Sequence, residues 1–173
     1  MTRTRAVAIG LLFAGVVGIA VAVVLFARDD GDGSSTPVSS SSLVIGAKPA
    51  SAPFVGLTAT QVAVGGRCLR VVVADDLAER VQGLRQRRGL GPYDGMLFVF
   101  DGPTVTGFTM SAVPVPLDIG FYAADGTPVS RRHMKPCPDA EPVCPLYEAG
   151  APFTDALETL RGKLPSGALS GCN

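Results

Sequence analysis

The sequence contains no Trp, a single His and only 6% aromatic residues. With one His, any Ser–His–Asp arrangement would rest on that residue alone, and no Gly-x-Ser-x-Gly elbow accompanies it. Neither charge is in surplus: 15 basic and 15 acidic side chains give a formal net charge of zero. Nucleic-acid binders carry a basic excess that neutralises phosphates, so that class is set aside. Cysteine is sparse, with four in 173 residues. That is too few for a disulfide-dense miniprotein and, beside one His, too scattered for structural zinc. There is no phosphate-binding Gly loop, no C-x-x-C pair and no internal repeat. No cofactor and no metal are implied, and no catalytic residue can be assigned.

Apolar residues are plentiful at 47%, which excludes a wholly disordered chain. The uncharged run from Ala6 to Ala27 has no polar face. At roughly 1.5 Å per residue a helix of that length crosses a bilayer core of about 30 Å. Arg3 and Arg5 precede it, while Arg28, Asp29 and Asp30 follow. This bias predicts a cytoplasmic N-terminus at 1–5, a transmembrane helix at 6–27 and export of the remainder. A cleaved signal peptide would have an apolar region of about 7–15 residues and a small-x-small site. The run instead ends Leu25-Phe26-Ala27, so an uncleaved, single-pass anchor in the cell membrane is expected. Residues 28–60 are rich in Ser, Pro and Gly and read as a flexible, disordered linker. Within it, Leu43-Val44-Ile45 and Phe54-Val55 are apolar interruptions. The folded, extracytoplasmic domain is expected at 61–173.

In that domain, Cys68–Ala74 is a β-branched strand candidate. Asp76 with Glu79 three positions later forms a capping box for a short helix. Leu77, Val81 and Leu84 would share one face of it, and Arg80 would support Asp76 at i+4. Gly83 should end the helix. Met96–Phe100 reads as a strand buried on both faces. Leu117–Ala123 alternates, with Leu117, Ile119 and Phe121 on one face and Asp118 and Tyr122 on the other. Asp125-Gly126 signals a hairpin into a return strand ending at Met134. Phe153–Leu160 reads as a last strand or short helix. The expectation is a mainly β (α+β) domain: a compact barrel-like or rolled antiparallel sheet with one short helix.

The motif order ADDLAERVQGLRQRRGL, GMLFVF, PLDIGFYAADGTPV and HMKPCPDAEPVCPLY resembles the family called domain of unknown function 192. The resemblance covers about residues 68–160. It implies a compact, β-rich and often exported domain, and it supplies no reaction. Family members usually carry Phe-Trp-Met-Lys-Asn-Thr before the Pro-Leu-Asp strand, whereas this chain has Phe108-Thr109-Met110-Ser111-Ala112-Val113. Phe and Met persist there; the Trp ring, the amine and the amide are replaced. Arg87 and Asp118 match family positions, and the C-terminal tail is shorter than usual.

Export makes two disulfides the default; of three possible connectivities the close spacing in a Pro-rich loop favours Cys137–Cys144, and Cys68 would then pair with Cys172. Candidate ligand-binding residues are Arg85, Arg87, Arg88, Asp118, Met110 and His133. The three Arg read either as a solvated loop or as a clamp for an anion, since guanidinium forks match carboxylate and phosphate. Met96, Met110, Met134 and His133 raise Cu(I), but adjacent His133 and Met134 should point to opposite faces of a strand, and Met is ordinary core filler. Three functional readings remain. The first is a non-catalytic module that binds a partner, an anionic small molecule or an envelope component. The second is an enzyme acting on envelope material through Asp118 and His133. The third is a structural spacer. The sequence sets no oligomeric state.

Overall fold

A computed structural model of the protein describes residues 43–137 and 143–172. Ten strands and one helix follow in chain order. They are β1 (Lys48–Pro49), β2 (Thr58–Val64), β3 (Arg67–Ala74), α1 (Leu77–Gln82), β4 (Gly95–Thr104), β5 (Phe108–Thr109), β6 (Leu117–Tyr122), β7 (Pro128–Met134), β8 (Leu146–Tyr147), β9 (Phe153–Leu160) and β10 (Leu169–Gly171). The main sheet runs β1-β2-β3-β4-β9-β6-β7, with β10 added on β2, and β5 with β8 forms a separate two-stranded ribbon.

The domain is mainly β with one short helix, and it is not a closed barrel. Strands β1 and β7 end the path of the main sheet without pairing to each other. Nor is the sheet wholly antiparallel: β3 and β4 pair in parallel, from Val71 opposite Gly95 to Ala74 opposite Phe98. A parallel pair needs a crossover, and the segment carrying α1 supplies it. Closely spaced turn signals do not distinguish a barrel from an open sheet, so the barrel expectation had no feature of its own to rest on.

The central strands are buried on both faces and divide two cores. Met96, Phe98, Ile119, Phe121, Met134, Phe153 and Ala156 pack on one side. Val62, Val71, Val73, Leu97, Tyr122, Leu157 and Leu169 pack on the other. The Asp125-Gly126 hairpin forms as expected between β6 and β7. Gly126 has φ of +80°, and a Cβ there would collide with the Leu169 carbonyl, so only glycine fits the turn. Both disulfides form with the expected connectivity, with Cα–Cα distances of 5.6 Å for Cys68–Cys172 and 5.8 Å for Cys137–Cys144.

Folded structure reaches N-terminal to Gln61, into the stretch read as linker. Lys48 and Pro49 pair with Ala59 and Thr58, and Phe54 is buried. Its ring meets Tyr93 edge-on at 5.9 Å, and the Ser51 N–H donates to the Tyr93 hydroxyl at 2.7 Å. A Ser/Pro/Gly count averages over the segment and hides one aromatic anchor. Of the other interruptions, Leu43 and Val44 pack on the second core, while Ile45 and Val55 are exposed. Among the described residues no helix is long and apolar enough to cross a membrane. The Ala6–Ala27 run and residues 28–42 lie outside them.

Candidate functional site

The capping box forms as the sequence predicts. The Asp76 carboxylate accepts from the Glu79 N–H at 2.8 Å, and the Glu79 carboxylate accepts from the Asp75 and Asp76 N–H groups. Gly83, at φ +46°, ends the helix. The expected apolar face of α1 is not buried, however. Leu84 is inside, but Leu77 is 72% exposed and Val81 63%. Arg80 does not serve Asp76. Its Nη1 donates to the Asp75 carbonyl at 2.5 Å and the Val99 carbonyl at 2.9 Å, and its guanidinium lies over the Phe100 ring at 5.0 Å.

Beneath this helix is a cavity of about 270 Å³. Leu77, Val81 and Leu84 form one wall, and Phe98 and Phe100 of β4 and Phe108 of β5 form the other. Phe98 and Phe108 meet edge-to-face at 5.0 Å. Arg80 and Arg85 bring two guanidinium groups to its lining, and Thr109 and Val113 contribute too. The position where the family pattern has Trp therefore borders an open space. Arg85 is held by the Val81 carbonyl at 3.2 Å and the Ser111 hydroxyl at 3.2 Å.

Glu158 of β9 also lines the cavity. It is 5% exposed. Within its strand neighbours it faces Met96 on β4 and Ile119 on β6. Among the described residues no donor or cation partners its carboxyl. Burial alone pushes its pKa up to about 8, so near neutral pH the group is mostly a neutral acid that can both donate and accept.

The three Arg of the expected clamp take separate partners. Only Arg85 lines the cavity. Arg87 donates to the Pro53 carbonyl at 2.6 Å and stacks over Phe54 at 4.7 Å, where it fastens the N-terminal segment. Arg88 is exposed. Met110 is fully buried in the first core, to which Met134 also belongs. His133, by contrast, has a side chain 58% exposed, so the residues considered for copper do not converge.

Asp118 and His133 do meet. They are directly opposed on β6 and β7, and His133 Nδ1 lies 2.5 Å from Asp118 Oδ1. Asp118 is fully buried and also accepts from the Gly162 N–H at 2.7 Å. Arg131 and Arg161 each stand 3.5 Å from its oxygens. Burial would raise the Asp118 pKa, but the bonds from His133 and Gly162 and the charges on His133 and Arg131 outweigh it and hold the carboxyl below 3.8. Neither residue lines the cavity under α1. Register explains why: Ile119 pairs with Glu158 and Asp118 with Thr159, so the two acids point to opposite faces of the sheet. Asp118 ties β6, β7 and the turn after β9 together.

The sequence reading missed Glu158, Arg80's role and the three Phe. An acid inside FTDALETL, otherwise a strand's apolar run, was the available signal for Glu158. The cavity has none, because its walls come from segments far apart in the chain.

Residues 60–169 match the family model of domain of unknown function 192, described as uncharacterised. No curated protein matches the chain. Among solved structures, a Sinorhizobium meliloti 1021 protein assigned provisionally as a transcription regulator is 30% identical, with a TM-score of 0.58 over 68% of this chain and 96% of that one. A Novosphingobium aromaticivorans DSM 12444 protein of unknown function is 27% identical, with a TM-score of 0.58 over 72% of this chain and 94% of that one.

Two pH dependences follow. Asp118 has a depressed pKa, so its stabilisation is present above its ordinary value of 3.8 and is lost as pH falls through the lower folded value. Asp118→Asn should cost roughly 2–4 kcal/mol in urea unfolding at neutral pH, with the difference from wild type closing as pH falls through the lowered folded value. An equal cost at all pH values would contradict the ionic role. Glu158 has a raised pKa, so the folded state keeps a proton that the unfolded chain releases. Wild-type stability should therefore decline between the ordinary value of 4.5 and about 8. Glu158→Gln should escape that decline, diverging from wild type by on the order of 4 kcal/mol across the window. Parallel pH profiles would refute a neutral, buried Glu158.

Proposed function

As a member of the uncharacterised family domain of unknown function 192, the chain inherits a fold without a reaction, and we propose that it is a membrane-tethered, extracytoplasmic and non-catalytic binding module. Its ligand is a small anionic molecule with an apolar body, taken up under α1. One observation carries this reading: an open cavity of about 270 Å³ with Phe98, Phe100 and Phe108 in its wall and the Arg80 and Arg85 guanidiniums beside them. Small-molecule sites combine an apolar lining with a few polar groups that orient the ligand. The uncovered apolar side chains of Leu77 and Val81 border the same cavity.

Two disulfides support the exported setting, because such bonds persist in oxidising compartments. The apolar run at 6–27, with basic residues before it, supports the anchor and its orientation. The Asp118–His133 contact is what favours an enzyme as the second reading, but that pair lies away from the cavity. The equal numbers of basic and acidic residues give no support to a nucleic-acid-binding role.

Benzoate serves as a probe of the pocket. Its addition to the full chain should perturb NMR signals of Phe98, Phe108 and Arg85. Thr109→Trp should fill the space and abolish the effect, and Arg85→Ala should weaken binding about tenfold and blunt its salt dependence. Perturbations confined to the exposed Arg88 surface would overturn the pocket assignment. Topology has its own check. A membrane-impermeant reagent applied to intact cells should label a residue added at the C-terminus; labelling only after lysis would refute export.

A further inference from the structure

Charged side chains of two kinds line this cavity, beside Gln82, Thr106 and Thr109, and only the guanidinium kind has partners among the described residues. Arg80 and Arg85 are anchored on carbonyl and hydroxyl oxygens. Glu158 is 95% buried, borders the cavity and has no partner among the described residues. An unpaired buried carboxyl is costly to maintain unless something supplies the missing donor or charge. The cavity it borders is also lined by Phe98, Phe100 and Phe108, and aromatic rings attract cations through their faces.

Resting on the pocket reading above, we infer that the ligand is amphoteric: it carries a protonated amine that pairs with the Glu158 carboxylate deep in the cavity, at the opposite end of its apolar body from the anionic group that meets Arg85. The step is a proton exchange. Glu158 loses its proton to solvent, and the ligand ammonium donates its N–H bonds to the carboxylate. Burial is the sole cause of the upward shift at Glu158, and no guanidinium charge lowers it. The two Arg of the lining therefore do not already neutralise the carboxylate, and that place is open to a ligand cation.

The charged groups facing Glu158 are few. From α1 comes Arg80 and from the segment after it Arg85. Its neighbours in register, Met96 on β4 and Ile119 on β6, do not titrate. The Asp118–His133 pair belongs to the other face. Between pH 6 and 8 Glu158 is thus the group whose ionisation sets the dependence.

Benzylamine, benzyl alcohol and benzoate isolate the two ends of such a ligand. Calorimetry on the full chain in detergent should show benzylamine binding more tightly than benzyl alcohol, with release of nearly one proton near neutral pH. Its affinity should rise on the order of 50-fold between about pH 6 and about pH 8, as the ionised fraction of a group titrating near 8 grows from about 1% to about half. Glu158→Gln keeps the size and neutrality of the protonated acid, so it should fold, and it should remove both the preference for amine and the pH dependence. If benzyl alcohol binds as well as benzylamine and Glu158→Gln changes neither, the amine inference is overturned while the pocket stands. If no probe binds in a way that Thr109→Trp blocks, the pocket itself fails and the inference fails with it.

Discussion

Strand β9 is buried on both faces, apart from the open cavity that Glu158 borders. It runs between β4 and β6, bonded to both, and its side chains alternate between two cores. Any ionisable group on it must find a partner inside the protein or give up its charge, because the low dielectric penalises an isolated ion. That constraint governs the chemistry of the molecule. Glu158 has taken the second course, and the space it borders is where a partner would enter. Asp118, on the adjacent strand and the opposite face, has taken the first. It gathers His133, the Gly162 N–H and two guanidinium groups around one carboxylate.

These two acids sit one strand apart and illustrate how pairing decides what burial means. Fully buried, Asp118 is more acidic than an ordinary Asp; nearly as buried, Glu158 is far less acidic than an ordinary Glu. The first reads as architecture, since its partners come from β7 and from the turn beyond β9, and it satisfies them all. The second leaves its hydrogen-bonding capacity unspent, next to a helix whose apolar face is also unspent. A buried pair is weak evidence for function, whereas an unmatched group that borders open space needs an explanation.

Much of this was legible in the chain itself. Asp76 and Glu79 announced the start of α1, Asp125-Gly126 the β6–β7 turn, and close spacing the Cys137–Cys144 bridge, because each is local chemistry at a short offset; Cys68 and Cys172, 104 residues apart, follow only as the two that remain. The family resemblance anticipated a β-rich fold and the matching segment. What escaped was non-local. Phe54 looked like a stray apolar residue in a tether until Tyr93 and Arg87 closed on it. Leu77 and Val81 have the periodicity of a buried face, yet they line an opening, and periodicity reports amphipathicity without saying what lies opposite. The Arg run resolved into three environments because the turn after α1 aims each side chain differently.

The segment Phe108–Val113 is held by its backbone, while its side chains differ from the family pattern. Ala112 has φ of +60°, a conformation that strains Ala and suits the Asn of the family pattern. Its carbonyl accepts from the Gln86 N–H and its own N–H donates to the carbonyl of Cys137, which is disulfide-bonded to Cys144. The turn is therefore held by main-chain bonds that do not depend on the side chain. Ser111, where the pattern has Lys, now braces Arg85 through its hydroxyl. Thr109, where the pattern has Trp, leaves the cavity wall short of an indole's volume. The bonds that hold this turn are main-chain bonds, and the cation at this edge of the cavity is the Arg85 guanidinium. With Thr in place of an indole at 109, the cavity that Glu158 also lines has more room for a ligand.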